Sequence, residues 1–437
     1  MKKVLILGAG MVAKPIVRYL LENGFSVTVA TRTVSKANAI IKGHPNGRAE
    51  QWLVDEEEKL HELVKNSDIV VSLLPYAYHV RVAKICLQHK KHLVTTSYVR
   101  KEMEELDKEA KDKGVILLNE IGLDPGIDHM SAMRMIDKVK NENGKVVSFR
   151  SYCGALPAPQ YADNPFKYKF SWSPKGAVLA AKNDARFLID GKEIYVPGRI
   201  LFSHFFSFTI ENLGEFEVYP NRDSIPYREK YGIEDVKTIF RGTIRYPGWC
   251  NLWNSIKKLS LLEEKEMEMK DMSYRKLLAV LNGFNEENIV EDTLSYLGIK
   301  EDSSVIEALK WVGIFEDKKI DMDRGTPLDA FVKLLEEKLS YKPGEKDMVI
   351  LRDEIIADYG TFQKKLLSIL VDFGDVDGET SVARTVALPA AVGVKLILEG
   401  KIDLKGVRIP VEREIYEPVL SELEKLNIKL KEEEEKL

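Results

Sequence analysis

The first 120 residues repeat one pattern, a short apolar run followed by an amphipathic stretch of about 10–15 residues. Each apolar run predicts a buried strand, and apolar positions spaced three and four apart, as at Val12, Ile16 and Leu20, predict helices that cover a sheet face. The alternation is typical of βαβ units and a parallel sheet. Six strands are predicted: Val4–Leu7, Ser26–Ala30, Gln51–Val54, Asp68–Leu74, His92–Thr96 and Val115–Leu118.

After about residue 145 the pattern changes to alternating, aromatic-rich segments. Such segments favour an antiparallel sheet, and therefore a second domain. The predicted strands are Val146–Tyr152, Lys167–Trp172, Glu193–Val196, Phe205–Ile210 and Phe216–Tyr219.

From about residue 251 to 342 the chain becomes helical and charged, which predicts an all-α insert. Strand signals return at Met348–Asp353 and Leu366–Phe373, and Ser381–Leu398 predicts an apolar helix deep in a core. The charged tail Lys429–Leu437 predicts a solvated helix end. The helical pieces of the insert are Ile256–Leu262, Tyr274–Leu281, Ser304–Trp311 and Pro327–Leu339.

Composition narrows the class of protein. The 437 residues include 65 Lys and Arg against 69 Asp and Glu, and this near-neutral balance gives no support to a nucleic-acid partner. Three cysteines without paired spacing predict neither a disulfide framework nor a structural zinc site. No apolar run reaches the 18 or so residues of a membrane span, and no secretory signal is recognised. We expect a soluble, multi-domain, cytoplasmic protein.

A glycine-rich turn follows the first predicted strand and opens the first helix, as Gly8-Ala9-Gly10-Met11-Val12-Ala13. The first glycine allows the tight turn, the second lets the backbone approach a diphosphate, and the small Ala13 permits close packing of the helix on the strand. The diphosphate would bind the N–H groups at the helix start. A dinucleotide site is predicted, and an incidental glycine turn is the alternative.

The end of the second predicted strand bears on the choice of cofactor. An NAD site usually has an acidic residue there, whereas this chain has Ala30-Thr31-Arg32-Thr33. An arginine between two hydroxyls suits the 2′-phosphate of NADP(H). Dual specificity stays open, as does a surface arginine without a ligand.

Polar residues follow three further strands, at the edge where ligands bind in such sheets. They lie in Leu74-Pro75-Tyr76-Ala77-Tyr78-His79, in Thr95-Thr96-Ser97-Tyr98 and in the segment from Asn119 to His129. Each could be an ordinary cap or turn, but their convergence favours a site. Neither His79 nor His129 has a recognisable partner in the sequence, and His129 is expected to be structural. No hydrolase motif is present.

Two later segments place arginines beside turn residues: Tyr219-Pro220-Asn221-Arg222-Asp223-Ser224 and Arg241-Gly242-Thr243-Ile244-Arg245-Tyr246. Arginines held on loops can bind carboxylates through two parallel hydrogen bonds. Surface ion pairs are the alternative.

At this point the chain resembles a known family, the glutamate-forming saccharopine dehydrogenases. The resemblance runs in order along nearly the whole chain and rests on long, unusual motifs. Besides the glycine turn and the two arginine segments, they are Ser72-Leu73-Leu74-Pro75-Tyr76, Thr96-Ser97-Tyr98, Glu120-Ile121-Gly122-Leu123-Asp124-Pro125-Gly126-Ile127-Asp128-His129, Ser151-Tyr152-Cys153-Gly154, Leu156-Pro157-Ala158-Pro159, Asn164-Pro165, Phe170-Ser171-Trp172-Ser173-Pro174, Ala383-Arg384-Thr385-Val386, Leu388-Pro389-Ala390 and Glu414-Ile415-Tyr416.

The resemblance implies an α/β fold class with three domains. An N-terminal Rossmann domain that binds NADP would comprise residues 1–123 and 380–437. An α+β domain that binds substrate and usually dimerises would comprise residues 124–250 and 346–379. An inserted all-α domain would comprise residues 251–345. A homodimer is therefore expected.

The resemblance also implies a reaction. The family joins α-aminoadipate semialdehyde to the amine of glutamate and reduces the imine to saccharopine with NADPH; the reverse oxidises saccharopine and hydrolyses the imine. Because saccharopine carries three carboxylates, Arg222 and Arg245 are expected to bind it, together with Ser97, Tyr98, Thr243 and Ile244. Asp124, Tyr98 and Cys153 would lie near the reacting atoms, with Asp124 assisting proton transfer and Tyr98 orienting substrate. Cys153 could equally be a small buried hydrophobe.

The cofactor residues implied by the resemblance lie at the strand ends. They are Gly8, Gly10, Met11, Val12, Thr31, Arg32, Thr33, Val54, Asp55, Leu74, Pro75, Thr96, Ser97, Leu123, Asp124 and Pro125.

One departure from the animal and plant members concerns chain organisation. Those members are fused to a lysine-ketoglutarate reductase and tend to use NAD, whereas this chain starts at the first strand and carries Arg32. A stand-alone, NADP-linked enzyme of lysine biosynthesis is expected, with the physiological direction open. Two alternatives remain: an imine reductase such as a carboxynorspermidine dehydrogenase, and a non-catalytic NADP-binding protein.

Overall fold

The computed structural model describes residues 1–376 and 378–437. Asp377, which falls in the predicted range 346–379, lies outside the described residues. The described chain divides into two compact units. Unit 1 comprises residues 1–149, 229–235 and 351–437, and unit 2 comprises residues 150–228 and 236–350.

The described residues form eighteen strands, numbered in chain order. They are β1 Lys3–Leu7, β2 Ser26–Thr31, β3 Gly47–Gln51, β4 Ile69–Ser72, β5 His92–Val94, β6 Ile116–Leu118, β7 Lys145–Pro157, β8 Ala185–Ile189, β9 Lys192–Val196, β10 Phe206–Ile210, β11 Gly214–Pro220, β12 Thr238–Arg245, β13 Met267–Glu268, β14 Arg324–Gly325, β15 Asp347–Asp358, β16 Gln363–Phe373, β17 Gly406–Arg408 and β18 Lys431–Lys436.

Sixteen α-helices lie in the same residues. They are α1 Ala13–Glu22, α2 Val34–Ile41, α3 Glu57–Lys65, α4 His79–Gln88, α5 Lys101–Glu104, α6 Asp107–Asp112, α7 Ile127–Asn141, α8 Pro174–Ala180, α9 Tyr227–Lys230, α10 Trp249–Lys258, α11 Tyr274–Asn282, α12 Ile289–Leu297, α13 Ser304–Val312, α14 Pro327–Lys338, α15 Ser381–Leu398 and α16 Arg413–Lys425. Three short 3₁₀ turns are Tyr76–Tyr78, Pro159–Tyr161 and Gly198–Ser203.

Unit 1 contains a seven-stranded parallel sheet in the order β17-β6-β5-β4-β1-β2-β3. The predicted parallel sheet is confirmed. Leu7 pairs with Ala30 on one side and with Ser72 on the other, so the ends of β1, β2 and β4 lie side by side. Because the strand order reverses around β1, this edge is the switch point at which such sheets bind ligands.

The strand predicted at Gln51–Val54 was misplaced, because β3 ends at Gln51. Trp52 looks like a strand residue but packs into the core from beyond the strand end. The seventh strand, β17, was not predicted, since its three residues carry little pattern.

The apolar helix predicted at Ser381–Leu398 is confirmed as α15. It is long and apolar enough to cross a membrane, but 78% of it is buried inside the protein. It packs against α1. We interpret α15 as a core helix of unit 1.

The tail was wrongly predicted to be helical. It forms β18, which pairs antiparallel with β16. Glu434 contacts Lys138 and Lys364, and Glu432 lies 2.6 Å from Arg134. Backbone pairing with β16, the ion pair to Lys364 on that strand and the ion pairs to Arg134 and Lys138 on α7 outweigh the helix propensity of Lys and Glu.

Unit 2 contains antiparallel strand pairs followed by helices. β10 pairs with β11, β11 with β12, β12 with β8, and β8 with β9. The predicted antiparallel sheet is thus confirmed, although β8, β12 and α12 were not predicted. The helical segment carries a short β13–β14 ribbon and belongs to the same compact unit as these strands. The three-domain division stays a prediction.

The strand predicted at Lys167–Trp172 is wrong. Asn164 Nδ2 donates to the Tyr168 carbonyl, and the Phe170 N–H donates to the Leu339 carbonyl at 2.8 Å. These backbone groups are therefore satisfied outside any sheet ladder.

Candidate active site

The glycine turn has the geometry that a dinucleotide site needs. Gly8 has φ +106°, and a Cβ there would lie 3.3 Å from the Leu73 carbonyl oxygen. A Cβ at Gly10 would meet no atom of the described residues within 4 Å, its chain neighbours aside. No side chain among the described residues caps the start of α1, and Ala13 is fully buried. The turn therefore leaves room and N–H groups for a diphosphate. Met11 and Val12 complete the turn before α1 begins.

Thr31, Arg32 and Thr33 lie beside this turn, at the end of β2. Arg32 is exposed and makes no hydrogen bond or ion pair with any residue in 1–376 or 378–437. An unpaired guanidinium at this position can bind a 2′-phosphate. The residues present thus fit NADP(H).

Further predicted cofactor residues follow β3 and β4. Val54 and Asp55 lie beyond the end of β3, where the Val54 carbonyl accepts a hydrogen bond from Arg81 Nη1 at 2.9 Å. Leu74 and Pro75 follow β4, next to the turn at Gly8. The structure thus brings these residues to one edge of the sheet.

A buried histidine joins the ends of β4 and β5. His79 Nδ1 lies 2.9 Å from Ser72 Oγ, and Nε2 lies 2.8 Å from Ser97 Oγ and 3.2 Å from Thr95 Oγ1. Burial, with a smaller effect of the Arg100 charge, lowers the pKa of His79 to about 4. The ring is therefore neutral near pH 7 and holds the Ser97 hydroxyl in place. No local sequence pattern indicated these partners, because Ser72 ends β4 whereas Thr95 and Ser97 follow β5.

The best catalytic candidates in unit 1 form a hydrogen-bonded pair. The Tyr98 hydroxyl donates to Asp124 Oδ1 at 2.7 Å, and both side chains are partly exposed. Leu123 and Pro125 flank Asp124, and the Asp124–Pro125 peptide bond is cis. A Cβ at Gly122 would lie 3.2 Å from Thr96 Cβ. The glycine lets the two segments approach, as the strand-end pattern predicted.

In unit 2, Cys153 lies on β7 close to the Thr243–Arg245 stretch. A Cβ at Gly154 would lie 2.7 Å from Ile244 Cβ, so the glycine permits this approach. Cys153 is buried. Thr243, Ile244 and Arg245 are part of β12, so the prediction that these arginines sit on loops was wrong for Arg245 and Arg241.

Arg245 is a buried cation in aromatic surroundings. Its guanidinium carbon lies 5.1 Å from the ring centres of both Tyr168 and Trp249. Nη1 donates to the Ile244 carbonyl at 2.7 Å, and Nε is buried without a hydrogen-bond partner among the residues that the structure describes. No carboxylate within the described residues forms an ion pair with it. Since a buried charge normally has a partner, Arg245 is suited to an anionic ligand.

Arg222 follows β11 and adopts φ +57°. Its side chain is exposed, and its carbonyl accepts a hydrogen bond from the Arg186 N–H at 3.0 Å. Arg222 therefore occupies a turn, as predicted. Arg241 is instead buried, with its guanidinium 4.6 Å from the Tyr227 ring centre.

Sequence reasoning missed the aromatic residues around Arg245. Tyr168 lies in the stretch misread as a strand, and Trp249 begins α10. Burial raises the pKa of the Tyr168 phenol, opposed by the Arg245 charge and by Trp172. An arginine near several aromatic residues in a sequence is a weak indication of this contact, because the sequence does not show which rings pack against the guanidinium.

Family models match nearly the whole chain. Residues 4–118 match the saccharopine dehydrogenase NADP binding domain, and residues 122–428 match the saccharopine dehydrogenase C-terminal domain. A solved structure, the apo saccharopine dehydrogenase (L-Glu forming) from Saccharomyces cerevisiae, aligns over 100% of both chains with a TM-score of 0.91 and 36% identity.

Similarity to known sequences indicates the same family. The chain is 38% identical to the saccharopine dehydrogenase [NADP(+), L-glutamate-forming] of Schizosaccharomyces pombe, over 99% of each chain. It is also 38% identical to the mitochondrial alpha-aminoadipic semialdehyde synthase of Rattus norvegicus, covering 97% of this chain and 46% of the relative. The chain thus spans about half the length of that larger relative and the full length of the fungal one.

Proposed function

The chain belongs to the saccharopine dehydrogenase family, and from this premise we propose that it is the NADP-dependent, glutamate-forming enzyme. Saccharopine would be interconverted with L-glutamate and L-2-aminoadipate 6-semialdehyde. The full-length similarity to the fungal NADP-dependent enzymes supports this assignment. Arg32, exposed and unpaired within the described residues, supports NADP(H) as the cofactor.

In the oxidative direction, the carbon on the lysine-derived side of the secondary amine loses a hydride and the nitrogen loses a proton, which leaves an imine. The glycine turn and Arg32 would hold NADP⁺, which would supply the acceptor for that hydride. Water then adds to the imine carbon, and cleavage of the carbon–nitrogen bond gives the aldehyde and the amine of glutamate. The protein must bind carboxylates, orient the amine and move protons.

Two groups of residues meet these needs. In unit 1, we propose that Asp124 moves the proton of the amine or of water and that Tyr98, which donates to it, orients the substrate. In unit 2, Arg222 and Arg245 would bind carboxylates, with Thr243 and Ile244 beside them and Cys153 shaping the pocket. Ser97, held by His79, would contact both cofactor and substrate.

The observation that carries the substrate class is the buried Arg245, whose guanidinium forms no ion pair within the described residues. The buried Glu217 lies opposite Arg245 in the β11–β12 pair, but its carboxylate accepts hydrogen bonds from the Gly248 and Cys250 N–H groups. A carboxylate-rich substrate such as saccharopine would provide an anion for the guanidinium. A polyamine precursor has fewer carboxylates and would use such an arginine less fully, and an NADP sensor would not need it.

Broader features of the assignment are proposals of the same kind. Residues 251–345 would form an inserted helical domain, residues 124–250 and 346–379 the substrate domain, and residues 1–123 and 380–437 the NADP-binding domain. We further propose a cytoplasmic homodimer that works in lysine biosynthesis through α-aminoadipate. Sedimentation of the purified protein tests the dimer.

The test of the function is an absorbance assay for NADPH. Saccharopine with NADP⁺ should give a rise, NAD⁺ should give a smaller one, and carboxynorspermidine should give none. A faster reaction with carboxynorspermidine would favour the polyamine alternative. Tight binding of NADP without reduction by either compound would favour a non-catalytic protein.

Asp124→Ala tests the catalytic assignment. Loss of the proton-transferring carboxylate should lower kcat by roughly 10²–10⁴-fold, while the Kd for NADPH changes little because the glycine turn and Arg32 are intact. Fluorescence titration and steady-state kinetics measure the two quantities. Asp112→Ala, which removes an exposed carboxylate at the end of α6, serves as the control. Wild-type turnover in Asp124→Ala would remove Asp124 from the mechanism.

A further inference from the structure

A buried chain of polar side chains lies in unit 1 beneath the Tyr98–Asp124 pair. His129 Nε2 lies 2.8 Å from Glu120 Oε2, and His129 Nδ1 lies 2.6 Å from the Tyr231 hydroxyl. Glu120, His129 and Tyr231 are each no more than 2% exposed. Burying a carboxylate and an imidazole together is costly unless their hydrogen bonds are made, so this arrangement is specific.

Glu120 fixes the backbone on both sides of Tyr98. Its own N–H donates to the Ser97 carbonyl at 3.1 Å. Its carboxylate oxygen Oε1 accepts a hydrogen bond from the Val99 N–H at 2.9 Å. Glu120 thus holds both peptide groups next to Tyr98, and this fixes the direction in which the tyrosine side chain points.

The other member of the pair is fixed from the same centre. Asp128 Oδ1 accepts a hydrogen bond from the Gly126 N–H at 2.6 Å and lies 3.8 Å from His129 Nδ1. The Gly122 N–H also donates to the Pro125 carbonyl at 2.9 Å. His129 therefore lies between the carboxylate that holds the Tyr98 segment and the one that holds the Asp124 loop.

Charge strengthens this arrangement. Burial raises the pKa of Glu120, but the hydrogen bond and charge of His129, the ammonium of Lys230 and the Val99 N–H together lower it to about 2. Lys230 Nζ lies 3.9 Å from Glu120 Oε1. Glu120 is therefore ionised near pH 7, and an ionised acceptor makes a stronger hydrogen bond to the Val99 N–H than a neutral one.

We propose that Glu120 and His129 are positioning residues for the reaction, holding the Tyr98 hydroxyl and the Asp124 carboxylate in register with each other. This inference rests on the proposed function, in which Tyr98 and Asp124 act on the substrate. Neither Glu120 nor His129 reaches the substrate itself, because both are buried. Their contribution is to geometry, and displacement of a reacting group by about 1 Å can lower a rate by about 10²-fold.

Three variants test the proposal. Glu120→Ala removes the acceptor for the Val99 N–H, so kcat should fall by roughly 10–100-fold while the Kd for NADPH changes by less than about threefold. Glu120→Gln keeps an oxygen that can accept this hydrogen bond, so it should recover a large part of kcat. His129→Gln, which leaves the Glu120 carboxylate in place, should show a smaller loss of kcat than Glu120→Ala.

Glu422→Gln is the matched control. Glu422 is also a hydrogen-bonded glutamate of unit 1, 2.9 Å from both the Tyr19 hydroxyl and Lys395 Nζ, but it lies on α16 against the last turn of α1. This variant should lose stability and keep the kcat of the wild type. The comparison separates a loss of packing from a loss of catalytic geometry.

The outcomes distinguish the proposal from the function on which it rests. Wild-type turnover in Asp124→Ala contradicts the proposed role of Asp124. Impaired Asp124→Ala together with wild-type turnover in folded Glu120→Ala contradicts the positioning role alone. If Glu120→Ala does not fold, the same decision falls to His129→Gln, whose kcat must be lowered, at an unchanged Kd for NADPH, for the proposal to stand.

Discussion

Arg32 is the residue on which, in our proposal, the choice of cofactor depends. Replacing it with alanine removes a charge-assisted contact to a 2′-phosphate, and such hydrogen bonds contribute about 1.5–3 kcal/mol. Arg32→Ala should therefore raise the KM for NADP⁺ by roughly 10–100-fold and leave the KM for NAD⁺ nearly unchanged. Steady-state kinetics with both cofactors measure the change.

Lys36→Ala gives the matched control, because Lys36 is an exposed cation in the first turn of α2, shortly after Arg32 in the sequence. It should leave both KM values close to those of the wild type. An equal change of both KM values in Arg32→Ala would contradict a specific contact with the 2′-phosphate.

His79 makes stability depend on pH. Burial lowers its pKa from the ordinary 6.5 to about 4 in the folded chain, so the unfolded chain binds more protons between these two values. Above pH 6.5 the protonation of His79 does not affect the free energy of unfolding. As the pH falls from 6.5 to 4, this free energy decreases by roughly 3 kcal/mol. His79→Gln should remove this contribution to the pH dependence of the free energy of unfolding.

Denaturant unfolding of the wild type and of His79→Gln at intervals from pH 7 to 4 measures the two slopes. If the free energy of unfolding changes with pH equally in the two proteins, His79 is not buried as a neutral ring.

At the residue scale, the sequence identified most candidate site residues but few of their partners. Asp124 and Tyr98 could be recognised because they follow strands whose ends share an edge. The contact between His129 and Tyr231 spans 102 positions of sequence, and no local pattern could reveal it. Arg245 was found as a cation, but its burial between Tyr168 and Trp249 depends on tertiary packing.

At the element scale, a substitution in the glycine turn should weaken cofactor binding without affecting folding. Within the described part of the chain, a methyl group at Gly10 would meet no atom within 4 Å beyond its chain neighbours, and Gly10 does not have a positive φ. Gly10→Ala should therefore keep the Tm of the wild type without cofactor. The methyl group would occupy space that the diphosphate needs, so the Kd for NADPH should rise at least about tenfold.

Thermal unfolding with and without NADPH checks both parts of this prediction. A variant whose Tm rises with NADPH as far as that of the wild type would show that the diphosphate binds elsewhere.

Elements with a strong local pattern could be predicted, and elements that depend on distant pairing could not. The bounds of α15 follow directly from its apolar run. In contrast, β18 is composed of Lys and Glu and is a strand because β16 offers it backbone partners. The three-residue β17 is likewise defined by its pairing with β6.

At the scale of the whole molecule, the candidate site residues are divided between the two compact units. Unit 1 carries the predicted cofactor residues with Tyr98 and Asp124, and unit 2 carries Cys153, Arg222 and Arg245. The unit boundaries cut across the predicted domain ranges because the chain crosses between the units several times. Composition and local periodicity do not record such crossings, so the parallel sheet could be predicted from the sequence, whereas the three-domain division stays a prediction.

The most direct test of the central claim is the identity of the product amino acid. The purified protein, incubated with saccharopine and NADP⁺, should form glutamate and NADPH in equal molar amounts, because oxidation takes place on the lysine-derived side of the amine. Chromatographic quantification of glutamate and lysine beside NADPH absorbance measures this ratio. Formation of lysine and 2-oxoglutarate, or of no NADPH, would contradict the account.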